Sequence, residues 1–219
     1  MILFDLDGTL LDTAPDLGLA LNIQLARHGF SELAPDVIRP YASHGSKGLL
    51  KLGFGIESED PGFDALRLEY LDIYNEVFKK SPKFFEGMDE VLDRIEENKI
   101  SWGIVTNKPR RFSQPLVEAL NLNTRFACLV CGDDAQRPKP FPDTLLLACQ
   151  NASVNPSECY YVGDAERDIL AGVSAGMETI VALYGYISKD ESPLNWGASY
   201  FINSPNEILS ILGINDSNN

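Results

Sequence analysis

The sequence predicts an α/β protein with a parallel-sheet core and a helical cap. Three observations support this fold class. The apolar run at residues 2–4 ends in Asp5, which is typical of a strand buried on both faces of a sheet. The region from 16 to 82 shows helical patterns and no convincing strand. From Met88 onward helical and strand patterns alternate, which indicates right-handed crossovers and a Rossmann-like parallel sheet.

These patterns divide the chain into two expected domains. Residues 1–15 and 83–219 form the Rossmann-like core, and residues 16–82 form the helical cap inserted after the first strand. The first cap helix follows Pro15, and its apolar stripe ends before His28, the expected helix C-terminus. That stripe consists of Leu17, Ala20, Leu21 and Leu25, and further cap helices are predicted near 35–42, 46–53 and 62–80.

The remaining predicted elements belong to the core. Strands are expected at residues 101–106, 127–131, 159–162, 179–183 and 199–202. Helices are expected at about 88–98, 112–120, 142–151 and 166–175, and the polar end at 215–219 is expected to fray.

Composition limits the possible partners. The net charge of -14 opposes binding to nucleic acid or to an anionic membrane surface, so neither partner is expected. The chain starts directly in a strand and has no run near the roughly 18 apolar residues of a membrane span. We therefore expect a cytoplasmic monomer or homodimer acting on a small molecule.

Four cysteines are present, and they are expected to be buried, reduced thiols. Cys128 and Cys131 form one Cys-x-x-Cys pair inside an apolar stretch, where side chains three apart in a strand point to opposite faces. The other two are Cys149 and Cys159, and with only two histidines in the chain a zinc site is not expected.

Two carboxylates follow the first strand, in the segment Asp5-Leu6-Asp7-Gly8-Thr9. Ligands of open α/β sheets bind at the carboxyl ends of the strands, so both side chains are expected to face a substrate. Asp5 can attack phosphorus, and Asp7 can protonate the leaving alkoxide and later deprotonate water. The alternative is an ordinary acidic turn after a strand.

Polar residues also end the second strand, in Thr106-Asn107-Lys108-Pro109. The hydroxyl group, the amide and the free backbone N–H groups can hold phosphate oxygens, so Thr106 and Asn107 are candidate substrate ligands. The alternative is simple helix capping, which Thr, Asn and Pro also favour.

Lys139 is clamped between Pro138 and Pro140, and both prolines restrict the backbone around it. A lysine oriented in this way suits a phosphoryl group, although an exposed loop lysine is the alternative. Arg137 is expected to be a solvated neighbour.

The strand at 159–162 leads through Gly163 into Asp164 and then into a helix that contains Asp168. Carboxylates from neighbouring strand ends form the oxygen shell that Mg²⁺ prefers, so Asp5, Asp7, Asp164 and Asp168 are the candidate metal ligands. Asp168 can bind directly or through a metal-bound water. Charge compensation at a helix N-terminus is the alternative, and it is preferred for Glu166.

Together these four segments resemble the four motifs of the haloacid dehalogenase (HAD) phosphatase superfamily, along nearly the whole chain. The resemblance is greatest to phosphoglycolate phosphatase-like members, including bacterial phosphatases of N-acetylmuramate 6-phosphate. It implies that Asp5 is the nucleophile, Asp7 the acid/base, Thr106 and Lys139 the phosphate ligands, and Mg²⁺ the cofactor. It also implies that the helical region closes over the site and selects the substrate.

The second aspartate favours ester chemistry over carbon–halogen cleavage, because only an alkoxide leaving group needs a proton. A sugar phosphomutase and a non-catalytic phosphate-binding regulator remain alternatives. In the cap, Ser43-His44-Gly45-Ser46-Lys47 is the candidate for contacts to the rest of the substrate. Gly45 can expose backbone N–H groups and Lys47 can pair with a carboxylate, whereas the alternative is a solvated turn.

Overall fold

The structure is a computed structural model, and its described residues are 1–78 and 82–214. Within this part of the chain the strands are β1 (Ile2–Phe4), β2 (Trp102–Val105), β3 (Leu129–Val130), β4 (Tyr160–Gly163), β5 (Glu178–Ala182) and β6 (Tyr200–Ile202). They form one parallel sheet in the order β3-β2-β1-β4-β5-β6. The strand order reverses beside β1, which is the position where ligands bind in such sheets. The predicted fold class is therefore confirmed.

Helices make up most of the described structure outside the sheet. Four lie between β1 and residue 78: α1 (Ala14–Arg27), α2 (Pro35–Ile38), α3 (Gly45–Phe54) and α4 (Phe63–Val77). The core helices are α5 (Met88–Glu97), α6 (Arg110–Ala119), α7 (Asp143–Ala152), α8 (Glu166–Ala175) and α9 (Glu207–Ile211). A 3-10 helix at Arg39–His44 joins α2 to α3, and further 3-10 turns lie at Pro156–Glu158 and Pro193–Asn195.

The first strand is buried on both faces, as its apolar run predicts. Ile2 and Phe4 pack into one hydrophobic cluster with α5, α6 and α9, while Leu3 packs into a second cluster with α7 and α8. The strand pairs in parallel with β2 on one side and β4 on the other, with Phe4 opposite both Ile104 and Val162. Residues that follow these three strands consequently emerge at one edge of the sheet.

The region between β1 and α5 has no strand among its described residues, although isolated bridges join Leu11 to Asp7 and to Phe84. The predicted stripe of α1 is buried: Leu17, Ala20, Leu21 and Leu25. The helical stretch expected near 35–42 is present as α2 followed directly by the 3-10 helix, and the change between them falls beside Pro40, which has no N–H group for an α-helical hydrogen bond. The division into core and cap stays a prediction.

The structure also bears on the expectations for the cysteines, for His28 and for membrane-spanning helices. All four cysteines are buried and free, and Cys128 and Cys131 belong to clusters on opposite faces of the sheet, as predicted. His28 is the C-cap of α1, as expected for a residue at the helix C-terminus. The expected end of the helix near 80 and the polar segment at 215–219 lie outside the described residues. Among the described helices, none combines the length and apolarity that a membrane crossing requires.

Helix α8 packs closely on the sheet at Gly172. A Cβ atom at this position would lie 2.4 Å from Cγ2 of Thr179 on β5, a distance that real Cβ atoms do not adopt. The absence of a side chain at Gly172 therefore sets the spacing between α8 and the sheet edge that carries Asp164.

We expect Gly172→Ala to lower the free energy of unfolding by about 1–3 kcal/mol, the usual cost of overpacking. Urea denaturation checks this value. Thr179→Ser removes the clashing methyl group and should recover part of the loss in the double variant. Ser174→Ala, on the exposed side of the same helix, is the control. An unchanged midpoint for Gly172→Ala would contradict the close packing.

Candidate active site

Asp5 leaves β1 at the centre of the sheet and is almost completely buried, with 3% of its surface exposed. Its Oδ1 atom accepts a hydrogen bond from the backbone N–H of Leu6 at 2.7 Å, which fixes the carboxylate at the strand end. The chain then turns at Gly8, whose φ of 82° suits glycine, and where an added Cβ would lie 2.1 Å from Oδ2 of Asp164. The turn thereby lets the ends of β1 and β4 approach each other.

Lys139 is the cation of this site and is buried. Its Nζ atom lies 3.0 Å from Oδ1 of Asp5 and 2.7 Å from Oδ1 of Asp168. It also donates to the hydroxyl group of Tyr161 at 2.7 Å and to the carbonyl of Val105 at 3.2 Å. One ammonium group therefore joins the ends of three strands and the start of α8.

Asn107 holds the backbone of Lys139 in place. Its Nδ2 donates to the Lys139 carbonyl, and its Oδ1 accepts from the Lys139 N–H, both at 2.9 Å. The Asn107 side chain is thus engaged in positioning the lysine, and its expected role as a direct phosphate ligand stays a prediction. Thr106 is buried beside it, and its Oγ1 accepts from the N–H of Lys108 at 3.2 Å.

Asp164 and Asp168 join Asp5 in one carboxylate group. Each offers an oxygen, and the three oxygens lie within 4.8 Å of one another. Asp164 Oδ2 accepts from the backbone N–H of Tyr186 at 2.9 Å and from the hydroxyl group of Ser43 at 2.6 Å. Asp168 Oδ2 accepts from the N–H of Ala165 at 3.0 Å, which caps α8. The carboxylate group is therefore rigidly oriented from both sides.

Asp7, the fourth predicted ligand, lies outside this carboxylate group. Its Oδ1 accepts from the Thr13 hydroxyl at 2.5 Å, and its two oxygens lie 3.1 and 3.0 Å from Nζ of Lys108. That ammonium also lies 4.8 Å from the centre of the Tyr74 ring on α4. Asp7 thus lines the same cavity as Asp5 but has its own cation.

The electrostatics of the carboxylate group favour a bound cation. Burial raises the pKa of Asp5, an effect that Lys139 opposes and Asp168 reinforces. Burial, followed by the charges of Asp168 and Asp5, raises the pKa of Asp164 to about 7. Three buried carboxyl groups with one amine in contact therefore lack positive charge, and their hard oxygen atoms fit a divalent ion such as Mg²⁺.

The site opens into a cavity of about 690 Å³ between the sheet edge and helices α1, α3 and α4. Gly45 and Lys47, the predicted cap residues, both line it. Ser43, from the same segment, also lines the cavity and donates its hydroxyl to Asp164. Arg137 is half-exposed and paired with Asp143, as expected for a solvated neighbour.

Several residues of the site were missed from the sequence. Arg167 lines the cavity and donates from Nη2 to the Ser43 carbonyl at 2.7 Å, which joins α8 to the 3-10 helix before α3. Burial would lower its pKa, but the charges of Asp168, Asp5 and Asp164 raise it overall. Both Arg167 and Lys108 adjoin predicted site residues, which was a usable signal. Arg67 also lines the cavity, and no sequence signal marked it.

Comparison with known proteins agrees with this geometry. The family model for haloacid dehalogenase-like hydrolases matches residues 2–182, and the chain belongs to that family. Its curated relatives are named phosphatases, so by class it is a phosphoric monoester hydrolase.

Two curated relatives illustrate the similarity. The N-acetylmuramic acid 6-phosphate phosphatase of Pseudomonas putida is 41% identical, over 96% of this chain and 95% of its own length. The phosphoglycolate phosphatase of Xanthomonas campestris is 38% identical, over 94% of this chain and 93% of its own.

Solved structures share the fold. A predicted phosphoglycolate phosphatase from Haemophilus somnus superposes with a TM-score of 0.84 at 24% identity, covering 97% of both chains. A putative beta-phosphoglucomutase from Thermotoga maritima gives a TM-score of 0.76 at 25% identity, again covering 97% of both chains.

The raised pKa of Asp164 makes stability depend on pH. The folded protein keeps the Asp164 proton up to a pH of about 7, whereas the unfolded chain loses it near about 3.9. This stabilising contribution is complete below the unfolded pKa and is lost as the pH rises through the folded pKa.

In EDTA, we therefore expect the free energy of unfolding of the wild type to fall relative to Asp164→Asn between about pH 4 and about pH 8. Urea titrations of both proteins at each pH measure this difference. The asparagine cannot titrate, so it is the matched reference. A constant difference across that range would show that Asp164 is already ionised in the folded protein.

Proposed function

We propose that this protein is a Mg²⁺-dependent phosphomonoesterase that acts through an aspartyl-phosphate on Asp5. The supporting observation is the buried group of Asp5, Asp164 and Asp168, in which Lys139 contacts Asp5 and Asp168 and Asp5 also lines a large cavity. A nucleophilic carboxylate, a cation for the phosphoryl oxygens and a set of oxygen ligands are the parts that phosphoryl transfer requires.

The first chemical step belongs to Asp5 and Asp7. An Asp5 oxygen attacks phosphorus, the bond from phosphorus to the ester oxygen breaks, and protonated Asp7 gives its proton to the leaving alkoxide. Lys139 stabilises the negative charge on Asp5 and on the phosphoryl oxygens. Thr106 lies beside this position at the end of β2.

The second step releases phosphate. Asp7, now ionised, accepts a proton from water, whose oxygen attacks phosphorus while the bond to Asp5 breaks. The contacts of Asp7 with Lys108 and Thr13 hold its side chain in place for this step. A bound Mg²⁺ would be held by Asp5, Asp164 and Asp168, directly or through water for the last, and would neutralise phosphoryl charge.

For the substrate we propose a phosphorylated carboxylate, either N-acetylmuramate 6-phosphate or 2-phosphoglycolate. Lys47 lines the cavity from helix α3, and its ammonium group can pair with a carboxylate. The volume of about 690 Å³ lies in the range of roughly 300–1,000 Å³ that holds drug-sized ligands. This size favours the sugar phosphate over the two-carbon acid.

A phosphomutase is the second candidate, because the fold is also shared with the putative beta-phosphoglucomutase. The product distinguishes the two functions. With N-acetylmuramate 6-phosphate and Mg²⁺, we expect equimolar inorganic phosphate and the free sugar. Formation of a sugar phosphate isomer without phosphate release would favour the mutase.

Asp5→Asn is expected to reduce turnover to below a few per cent of the wild-type rate, because an amide is a poor nucleophile and a weak metal ligand. Phosphate release from N-acetylmuramate 6-phosphate measures the rate. The exposed Asp36→Asn is the matched control and should retain full activity. Substantial activity of Asp5→Asn would remove Asp5 from the nucleophile role.

Asp7→Asn should distinguish between leaving groups. An alkyl phosphate needs a proton on its leaving oxygen, so its rate of Asp5 phosphorylation should fall by roughly 10²–10⁴-fold. The aryl ester p-nitrophenyl phosphate releases a stable phenolate and should lose far less in the same step. Single-turnover measurements of alcohol or phenol release test this difference. Equal losses for the two esters would argue against Asp7 as the general acid.

A further inference from the structure

Two arginines that line the cavity have no carboxylate partner among the described residues. Most described arginines form ion pairs with acidic residues, namely Arg27, Arg39, Arg94, Arg110, Arg125 and Arg137. Across residues 1–78 and 82–214, Arg67, Arg111 and Arg167 have no carboxylate within ion-pair distance, and two of these three line the cavity. With 32 acidic against 18 basic residues, such arginines are not explained by a shortage of acids.

Arg67 presents its guanidinium to the cavity from helix α4. Tyr70, Leu71 and Tyr74 also line the cavity, and they follow Arg67 at intervals of three, four and seven residues, so the four share one helix face. The Arg67 side chain has one hydrogen bond, from Nε to Oγ of Ser46 at 3.3 Å. Its Nη1 and Nη2 atoms have no protein partner among the described residues and are free to bind a ligand.

The two ends of the cavity differ in chemistry. Asp5 and Thr106 line the sheet end, where the buried Lys139 contacts Asp5, and these groups suit the phosphoryl group. At the helical end, the contact with Ser46 places Arg67 beside the chain segment that carries Lys47. A planar guanidinium with free terminal nitrogens matches a carboxylate through two parallel hydrogen bonds, and a nearby ammonium adds charge.

We propose that Arg67 determines substrate specificity by binding the carboxylate of the substrate, with Lys47 as the second cation. The inference rests on the proposed function, because it assumes that the phosphoryl group occupies the Asp5 end of the same cavity. Ser46 is a positioning residue that orients the Arg67 guanidinium.

Two substrates that differ only in this charge give the test. N-acetylmuramate 6-phosphate and its carboxyl methyl ester keep the same sugar and the same phosphate, but the ester has lost the negative charge. Arg67→Ala should lower kcat/KM for the free acid by roughly tenfold to one hundredfold, the range of a lost charge-assisted hydrogen bond. The loss should lie mainly in KM, and kcat/KM for the methyl ester should change by less than about twofold.

Matched variants separate recognition from folding. Arg67→Lys keeps the charge and should recover part of the loss for the free acid. Arg27→Ala is the control, because this arginine also lies between β1 and α5 but is exposed and paired with Glu69 away from the cavity. If wild-type enzyme prefers 2-phosphoglycolate, the same comparison is made with that acid and its carboxyl methyl ester.

Each outcome bears on one proposal. Equal losses for acid and ester, or no loss for either, would overturn the role of Arg67 while leaving the phosphatase function intact. A wild type that hydrolyses acid and ester equally well would also overturn it. If no phosphate is released from any of the phosphate esters tested, the proposed phosphatase function itself would be contradicted.

Discussion

The burial of three neighbouring carboxylates is the constraint on which this site depends. Asp5, Asp164 and Asp168 lie too close together to be ionised at low cost in a buried environment, and the raised pKa values of Asp5 and Asp164 express that cost. Lys139 compensates part of the charge through contacts with Asp5 and Asp168. The carboxylate group still lacks positive charge. This deficit is the physical reason to place a bound cation and the reaction of an anionic substrate at this site.

The fold brings these groups together through the parallel sheet. Asp5 and Asp164 follow adjacent strands, and Lys139 reaches their edge because Asn107, after the strand on the other side, holds its backbone. The region between β1 and α5 then contacts the site through Ser43, which binds Asp164 and accepts from Arg167. Although the chain carries a net charge of -14, Arg67 and Arg167 line this cavity without an ion-pair partner among the described residues.

The sequence predicted the parts of the structure that depend on local pattern. The buried first strand, the alternating core and the segments containing Asp5, Thr106 and Asp164 were predictable, because short apolar runs ended by polar residues are typical of buried strands. Lys139 was marked instead by the prolines on both sides of it. Contacts between distant segments were not. Nothing local indicated that Lys108 would pair with Asp7 or that Ser43 would reach Asp164, since both contacts depend on how the helices pack over the sheet edge.

Calorimetric titration of the wild-type protein and of Asp164→Asn with Mg²⁺ tests the account most directly, because it probes the carboxylate group without depending on any substrate. The account predicts one Mg²⁺ bound per wild-type chain, and at least a tenfold weaker affinity when the Asp164 carboxylate is replaced by an amide. Absence of binding to the wild type, or equal affinity of the two proteins, would contradict it.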